Sequence, residues 1–187
     1  QVVTINALMY NALLSDSELA ESVEKAGLVV PDSVGIQFAL KYLFNIKAGR
    51  ATGIDLVNEL LKIGYRTFLF GAKQEVVTQA VENIRKSYPA AVITGYRNGY
   101  FIGSEEQGIV DLINMSKSDI LFVGLNSPGQ EKWIYRNLTK LNVPVMIGVG
   151  GSFDVIAGKL TRAPGLMQEL GLEWLYRLVQ EPWRISR

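Results

Sequence analysis

Short apolar runs alternate with helical patterns along almost the whole of this 187-residue chain. Runs rich in β-branched and aliphatic residues predict strands at 2–5, 28–30, 66–71, 90–95, 119–124 and 143–150. Amphipathic patterns between them predict helices at 16–27, 34–44, 53–64, 73–88, 105–117 and 129–141. Such regular alternation predicts an α/β fold, a Rossmann-like and mostly parallel sheet with helices on both faces. Because no linker or internal repeat interrupts the pattern, residues 1–187 are predicted to form a single domain.

Two residue types that carry much of enzyme chemistry, Cys and His, are absent from the sequence. Their absence excludes disulfides, thiolate nucleophiles, zinc sites built from Cys or His, and every His-based triad. An acid–base enzyme with this sequence would use Asp or Glu as its base near neutral pH, with Lys or Tyr as remoter options. The net charge of +1 gives no indication of nucleic acid as a partner. No apolar run reaches the roughly 18 residues of a membrane-spanning helix.

The loops that follow the predicted strands are polar and rich in glycine. In a parallel sheet these loops meet at the carboxyl edge, where α/β proteins bind their ligands. The loops are 4–7, 30–35, 71–75, 95–101, 124–133 and 150–154. Their shared composition favours a ligand site at that edge over a set of plain turns.

The turn after the last predicted strand is the clearest candidate for ligand binding. Gly150 and Gly151 allow close backbone approach, and Ser152 is a predicted N-cap of a short helix. A helix that begins after a glycine turn suits a phosphate or a nucleotide, although a tight connection without a ligand explains this stretch equally well. Asp154 would either accept hydrogen bonds from ribose hydroxyls or only interact with the helix dipole.

Among the acids, Asp32 has the most constrained predicted position, because it follows a strand and Pro31. Spacing alone favours a structural role, since Asp32 and Ser33 both suit the N-cap of the next helix. Asp55 and Glu131 lie early in their own predicted helices, where a structural role is also expected. There is no Asp-x-Asp pair, Walker loop or Gly-x-Gly-x-x-Gly motif, so neither a metal nor a cofactor is predicted. A departing diphosphate would then be stabilised by Arg, Lys or backbone donors.

The C-terminal stretch combines cations with aromatic residues. Its cations are Lys159, Arg162, Arg177, Arg184 and Arg187. Trp174, Tyr176 and Trp183 alternate with the arginines, a combination typical of a membrane interface. The alternative, which the spacing of the leucines favours, is a final helix docked on the core.

Several motifs, taken together and in this order, resemble the WecG/TagA/CpsF glycosyltransferases, glycosyltransferase family 26. The motifs are PDSVGIQFA, RATGIDL, GYRNGYF, LFVGLNSPGQEKWI and GVGGSFDVIAGKLTRAP, with LGLEWLYRLVQEPWR close behind the last. The resemblance implies an inverting transfer of N-acetylmannosamine, or a related sugar, from a UDP donor. The implied acceptor is N-acetylglucosamine on undecaprenyl diphosphate, for wall teichoic acid or related surface polysaccharides.

The resemblance also implies where the protein works. It implies a bacterial protein that is cytoplasmic and peripheral at the inner face of the cell membrane, drawn to anionic lipid through its C-terminus. Homo-oligomerisation is left open. The family pattern extends past both ends of the chain, so residues 1–187 are expected to be a core domain without its N-terminal start and C-terminal basic appendage.

Individual residues match the family's functional positions. The catalytic aspartate matches Asp32, and the other positions associated with catalysis are Thr4, Asn6, Arg50 and Gln130. Positions implied in substrate binding are Tyr100, Gly124, Asn126, Gly150, Gly151, Ser152, Asp154 and Arg162. Tyr100 resembles a base-stacking residue. Ser33 stands where the family usually has Gly, and Asn-Ser-Pro at 126–128 replaces a commoner Ala/Ser-Pro form, so the acceptor's identity is left open.

Two other functions are compatible with parts of the sequence. One is a non-catalytic module that binds a nucleotide-sugar or a glycan. The other is an NAD-dependent enzyme that uses the GVGGSF stretch, which is disfavoured because this turn follows the last strand and lacks the second glycine spacing.

Overall fold

A computed structural model describes residues 1–182 and shows six parallel strands in one sheet, in the order β2-β1-β6-β5-β3-β4. The strands are β1 (Val2–Ile5), β2 (Leu28–Pro31), β3 (Arg66–Gly71), β4 (Val92–Arg97), β5 (Ile120–Gly124) and β6 (Val145–Gly148). The helices are α1 (Ala7–Leu13), α2 (Ser17–Glu24), α3 (Val34–Phe44), α4 (Gly53–Ile63), α5 (Gln74–Ser87), α6 (Glu106–Met115), α7 (Gly129–Asn137), α8 (Ser152–Ile156), α9 (Gly165–Glu169) and α10 (Glu173–Gln180). The predicted α/β fold is confirmed.

The core lies on both faces of the sheet, and β3 shows why. Leu69 packs against α4, α5 and α8 on one face, whereas Phe68 and Phe70 pack against α6 and α7 on the other. Successive strand residues point to opposite faces, so a strand covered on both sides must be apolar throughout. This burial explains why the central strands β3 and β5 are continuous apolar runs in the sequence.

Most predicted elements have the expected positions, and β3 and α3 have the predicted ends. Strand β4 is shifted from the predicted 90–95, because the N–H of Ala91 turns back to the carbonyl of Tyr88 at 2.9 Å. Strand β6 is shorter than the predicted 143–150, and it begins only after Pro144, which has no N–H to donate to a neighbouring strand.

Helix α1 was not predicted. The sequence predicts a strand-end loop at 4–7, but the helix begins directly after Asn6. The Asn6 side chain accepts a hydrogen bond from the N–H of Met9 at 3.0 Å and caps the helix.

The expectation of one continuous helix near the C-terminus is wrong. Two short helices, α9 and α10, occupy this region, and neither contains a buried residue. Gly171 separates them with a φ of 71°, a left-handed conformation that ends a helix and that glycine adopts without strain. Trp183, Arg184 and Arg187, which were expected at a membrane interface, lie outside the described residues.

Candidate active site

The candidate residues lie along the carboxyl edge of the sheet in an order set by the strands. Tyr100 follows β4, Asn126 follows β5, the Gly150–Gly151 turn follows β6, Asn6 follows β1 and Asp32 follows β2. Neighbouring strands are about 4.8 Å apart, so the row from β2 to β4 covers about 24 Å. Asp32 and Tyr100 therefore lie at opposite ends of the candidate site.

Asp32 lies where β1 and β2 end side by side. Its backbone N–H donates to the carbonyl of Ile5 at 2.8 Å. Burial raises the pKa of Asp32 to about 6, although the positive charge of Arg50, the N–H of Gly53 and the Asn6 side chain all oppose the shift. Such a carboxyl is mostly ionised at pH 7 but still takes up a proton readily, which suits a general base.

The N-cap of α3 is Ser33, and not Asp32, which the spacing also allowed. The Ser33 hydroxyl accepts a hydrogen bond from the N–H of Ile36 at 3.4 Å. The Asp32 carboxylate is thus not needed to cap the helix.

A network of ion pairs borders Asp32. Arg50 binds Glu173 at 2.5 Å, and Arg162 binds the same carboxylate at 3.2 Å. Arg162 also binds Asp55 at 2.7 Å, and Thr52 donates to Asp55 at 2.6 Å. The network ties the start of α4 to the start of α10, and it engages both arginines that the sequence analysis assigned to the site.

The turn after β6 has the conformation that its glycines allow. Gly150 has a φ of 52°, and α8 begins two residues later. The prediction of Ser152 as N-cap is wrong, because its hydroxyl turns back to donate to the carbonyl of Val149 at 2.6 Å and Gly151 holds the cap position. The backbone N–H of Ser152 donates to the same carbonyl at 3.2 Å. No side chain caps α8, so within the described residues the N–H groups of Gly151 and Phe153 are available to an external acceptor.

Gln130 and Glu131, in the first turn of α7, hold this turn in place. The side-chain carbonyl of Gln130 accepts a hydrogen bond from the N–H of Gly150 at 2.9 Å, and its amide donates to Glu131 at 2.6 Å. Gln130 is 3% exposed and Glu131 is 1% exposed. The structure therefore gives Gln130, assigned to catalysis by the resemblance, a position from which it holds the turn.

The burial of Glu131 is a feature that the sequence analysis missed. Burial raises the pKa of Glu131, against the hydrogen bond from Gln130. Its second oxygen, Oε2, has no hydrogen-bond partner within residues 1–182. The sequence contains one indication of this burial, the glycine at position 148 within β6. A side chain at this position would collide with Gln130, so the glycine leaves room for Gln130 and Glu131 to pack against the strand.

Arg177 is a second site residue that was not predicted as one. Helix α10 places its guanidinium group against Gly151, where any Cβ atom would collide with it. Burial raises the pKa of Asp154 in the first turn of α8, and the charge of Arg177 opposes the shift. Arg177 also binds Glu181 at 3.1 Å. The sequence pattern predicts a place for Arg177 among membrane-facing cations, whereas the structure places it at the glycine turn.

Three of the remaining predicted residues, Gly124, Asn126 and Tyr100, lie nearer the β4 end of the edge. Gly124 ends β5, and its carbonyl accepts a hydrogen bond from Ala72 at 2.9 Å. Asn126 and Tyr100 are both exposed, and the N–H of Tyr100 donates to Asn98 at 3.0 Å. At the other end of the row, Thr4 is buried and donates to the carbonyl of Gly148 at 3.2 Å, so β1 and β6 are joined at the site.

A glycine turn faced by an arginine, at the carboxyl edge of a parallel sheet, is typical of α/β proteins that bind a nucleotide. A family model described as "Glycosyl transferase WecG/TagA/CpsF family" matches residues 1–187. The chain belongs to this family, and the resemblance found in the sequence is confirmed.

Curated relatives agree with the family match. An N-acetylglucosaminyldiphosphoundecaprenol N-acetyl-beta-D-mannosaminyltransferase from Bacillus subtilis (strain 168) is 34% identical over 190 residues, which cover 100% of this chain and 73% of the relative. A protein of the same name from Staphylococcus aureus (strain MW2) is 35% identical over 190 residues, covering 100% of this chain and 74% of the relative.

Proposed function

We propose that this protein is an inverting glycosyltransferase that moves N-acetylmannosamine from UDP to N-acetylglucosamine on undecaprenyl diphosphate. The names of the relatives supply the sugar and the acceptor. This transfer contributes to wall teichoic acid or a related surface polysaccharide. Family membership supports a transferase over the NAD-dependent alternative.

The order of residues along the sheet edge is the observation that carries the proposal. A UDP-sugar is a linear molecule with a base, a ribose, a diphosphate and a sugar in sequence. Tyr100, the Gly150–Gly151 turn and Asp32 follow one another along the edge in the order that this molecule and its acceptor require. Uracil stacks on Tyr100, the diphosphate meets the turn, and the acceptor hydroxyl reaches Asp32.

The donor is held mainly by groups around β5 and β6. Gly124 and Asn126 border the nucleoside, and Asp154 accepts hydrogen bonds from the ribose hydroxyls. The N–H groups of Gly151 and Phe153 face the diphosphate, with Arg177 on the other side, whereas the N–H groups of Gly150 and Ser152 bind Gln130 and Val149. The guanidinium group of Arg162 is occupied by ion pairs with Asp55 and Glu173. Arg162 therefore contributes to substrate binding indirectly, because these ion pairs hold α4 and α10 in place beside the site.

Asp32 acts as the general base of the transfer. It takes the proton from the acceptor hydroxyl while the hydroxyl oxygen forms a bond to the anomeric carbon, on the face opposite UDP. The bond from that carbon to the diphosphate oxygen breaks, and UDP leaves with the electron pair. Attack from the opposite face inverts the anomeric configuration. Arg177 and the backbone N–H groups stabilise the negative charge on the departing diphosphate.

Thr4, Asn6, Arg50 and Gln130 support this chemistry from neighbouring positions. Asn6 and Arg50 act on the Asp32 carboxylate and favour its ionised form. Thr4 fixes the end of β6 through Gly148. Gln130 acts through the N–H of Gly150.

The lipid-linked acceptor places the reaction at a membrane. None of the helices within residues 1–182 combines the length and the apolarity needed to cross a bilayer. We propose that the protein is cytoplasmic and peripheral at the inner face of the cell membrane, with C-terminal cations drawn to anionic lipid.

A transfer assay tests the proposal. The protein is incubated with UDP-N-acetylmannosamine and a short-chain lipid-diphosphate-N-acetylglucosamine, and UDP release and the disaccharide product are followed by chromatography and mass spectrometry. The expected result is a product that needs both substrates and has an inverted anomeric centre by NMR. UDP-N-acetylglucosamine serves as the control donor. Tight UDP binding without transfer to any acceptor would instead support the non-catalytic module.

A further inference from the structure

Helix α3 is mostly apolar, yet none of its residues is buried. Phe38 is 61% exposed, Tyr42 77% and Phe44 66%. Leu43 is also exposed. Single exposed apolar residues are common on proteins, but a contiguous group of large ones marks an interaction surface.

The segment after α3 extends this exposed group. Residues 45–48 run back along the helix, where the Gln37 side chain donates to the carbonyl of Ala48 at 2.9 Å. Between helix and segment lies a groove of about 300 Å³ bordered by Phe38, Ile46 and Lys47. The rings of Phe38 and Tyr42 stack with their centroids 4.9 Å apart. We name α3 together with residues 45–48 the α3 surface.

All the charged side chains of the α3 surface are positive. The sequence has no acidic residue between Asp32 and Asp55. Lys41 and Lys47 flank the apolar side chains, and neither forms an ion pair with any residue of the part of the chain that the structure describes. Exposed aromatic rings beside unpaired lysines match the chemistry of an anionic bilayer, which accepts rings at the acyl boundary and cations among its headgroups.

The α3 surface lies close to the end of the site that contains Asp32. Helix α3 begins two residues after Asp32, at the carboxyl end of the edge strand β2. A bilayer lying on α3 therefore comes close to the end of the site that we assign to the acceptor.

We propose that the α3 surface docks on an anionic lipid bilayer, with Phe38, Tyr42 and Phe44 at the acyl boundary and Lys41 and Lys47 among the headgroups. The proposal deepens the proposed function, on which it rests for the reason why the Asp32 end of the site faces the membrane. It adds a docking surface within the described chain to the cations of the C-terminus.

Co-sedimentation of the full chain with vesicles tests the α3 surface. The vesicles contain phosphatidylcholine alone or phosphatidylcholine with phosphatidylglycerol, and a further set of the anionic vesicles also contains the lipid-linked acceptor. The test variants are the double substitutions Phe38→Ser with Phe44→Ser, and Lys41→Gln with Lys47→Gln. The matched controls change exposed apolar residues elsewhere, Ile63→Ser with Met115→Ser, and exposed lysines elsewhere, Lys86→Gln with Lys140→Gln.

Both α3 variants should lose affinity for anionic vesicles by about tenfold or more, whereas both controls keep it. The melting temperature and UDP affinity of the α3 variants should match those of the unmodified protein, because the changed side chains are exposed and lie away from the donor. Transfer to an acceptor embedded in vesicles should fall, while transfer to a water-soluble short-chain acceptor is retained.

Three outcomes would overturn the proposal. The α3 variants could bind anionic vesicles as well as the controls do. They could lose affinity only for vesicles that contain the acceptor, which would make the groove a site for the acceptor's own lipid chain. Ultracentrifugation could show self-association that Phe38→Ser with Phe44→Ser abolishes, which would assign the surface to a second copy of the chain. Failure of transfer with every acceptor would contradict the proposed function. The co-sedimentation result would still decide whether the α3 surface binds anionic lipid, because that experiment does not depend on transfer.

Discussion

The side-chain carbonyl of Gln130 accepts a hydrogen bond from the backbone N–H of Gly150 at 2.9 Å. Gln130 lies in the first turn of α7, so this bond connects the loop after β5 to the turn after β6. Glu131 accepts from the other end of the same amide at 2.6 Å and thereby fixes which way the amide points. The shape of the glycine turn therefore depends on a buried acid that does not face the proposed substrate.

The role of Glu131 predicts different results from two substitutions. Glu131→Gln keeps an oxygen that accepts from Gln130 and removes a buried charge, so we expect unchanged UDP affinity and an equal or higher melting temperature. Glu131→Leu leaves the Gln130 amide without its partner, and UDP binding should weaken by about 1–3 kcal/mol, or about 5- to 150-fold. Calorimetry with UDP and thermal unfolding measure both effects. Normal UDP affinity in a folded Glu131→Leu protein would show that the turn does not need this support.

Asp154→Ala should weaken UDP binding by about 1–3 kcal/mol, because ribose hydroxyls in a partly buried site would lose their acceptor. Asp111→Ala is a matched control, since Asp111 is an exposed helical aspartate on α6. Calorimetry on both variants is the measurement. Equal affinities for UDP would return Asp154 to a structural role at the start of α8.

UDP binding should not depend on a divalent metal ion. The sequence has no Asp-x-Asp pair, and residues 1–182 contain no group of three acidic side chains placed to hold a metal. Arg177 and the N–H groups of Gly151 and Phe153 take the place of the cation in our proposal. Calorimetry in EDTA should give the same affinity as in Mg²⁺ or Mn²⁺. A loss of binding in EDTA that either metal restores would contradict the prediction.

Local patterns predicted most of the fold because the central strands are buried on both faces. Strand β3 and helix α3 have the predicted ends, since both are marked by sharp changes in composition. Helix α1 was missed because its cap, Asn6, was already assigned to a strand-end loop. The spacing of the leucines predicted one continuous helix near the C-terminus. The helix is interrupted at Gly171, whose left-handed backbone cannot be part of an α-helix.

The site was less predictable, because its geometry depends on contacts between distant residues. A glutamate in a first helical turn usually faces solvent, and the burial of Glu131 arises from packing against Gly148 of β6. Arg177 reaches Gly151 only because α10 folds back over the carboxyl edge. The position of Asp32 followed from its strand and proline, whereas its raised pKa follows from burial that only the fold supplies.

The pKa of Asp32 predicts how transfer depends on pH. Burial raises this pKa from 3.8 to about 6, so the carboxyl is protonated and inactive as a base below that value. The kcat/KM for transfer should fall about tenfold for each pH unit below 6 and stay level above it. The affinity for the UDP-sugar over the same range is the control, because our proposal places Asp32 at the acceptor. Activity that rises as the pH falls below 6 would mean that the essential group acts as an acid.

The transfer rate of Asp32→Asn tests most directly whether Asp32 is the general base. It is determined together with the UDP affinity and the melting temperature of this variant. Asparagine keeps the size of the side chain but cannot take the proton, so we expect turnover to fall by about 10²–10⁴-fold. UDP affinity and melting temperature should be unchanged, because Ser33 caps α3 and the donor binds elsewhere along the edge. Turnover near that of the unmodified protein would contradict the assignment of Asp32 as the base of the sugar transfer.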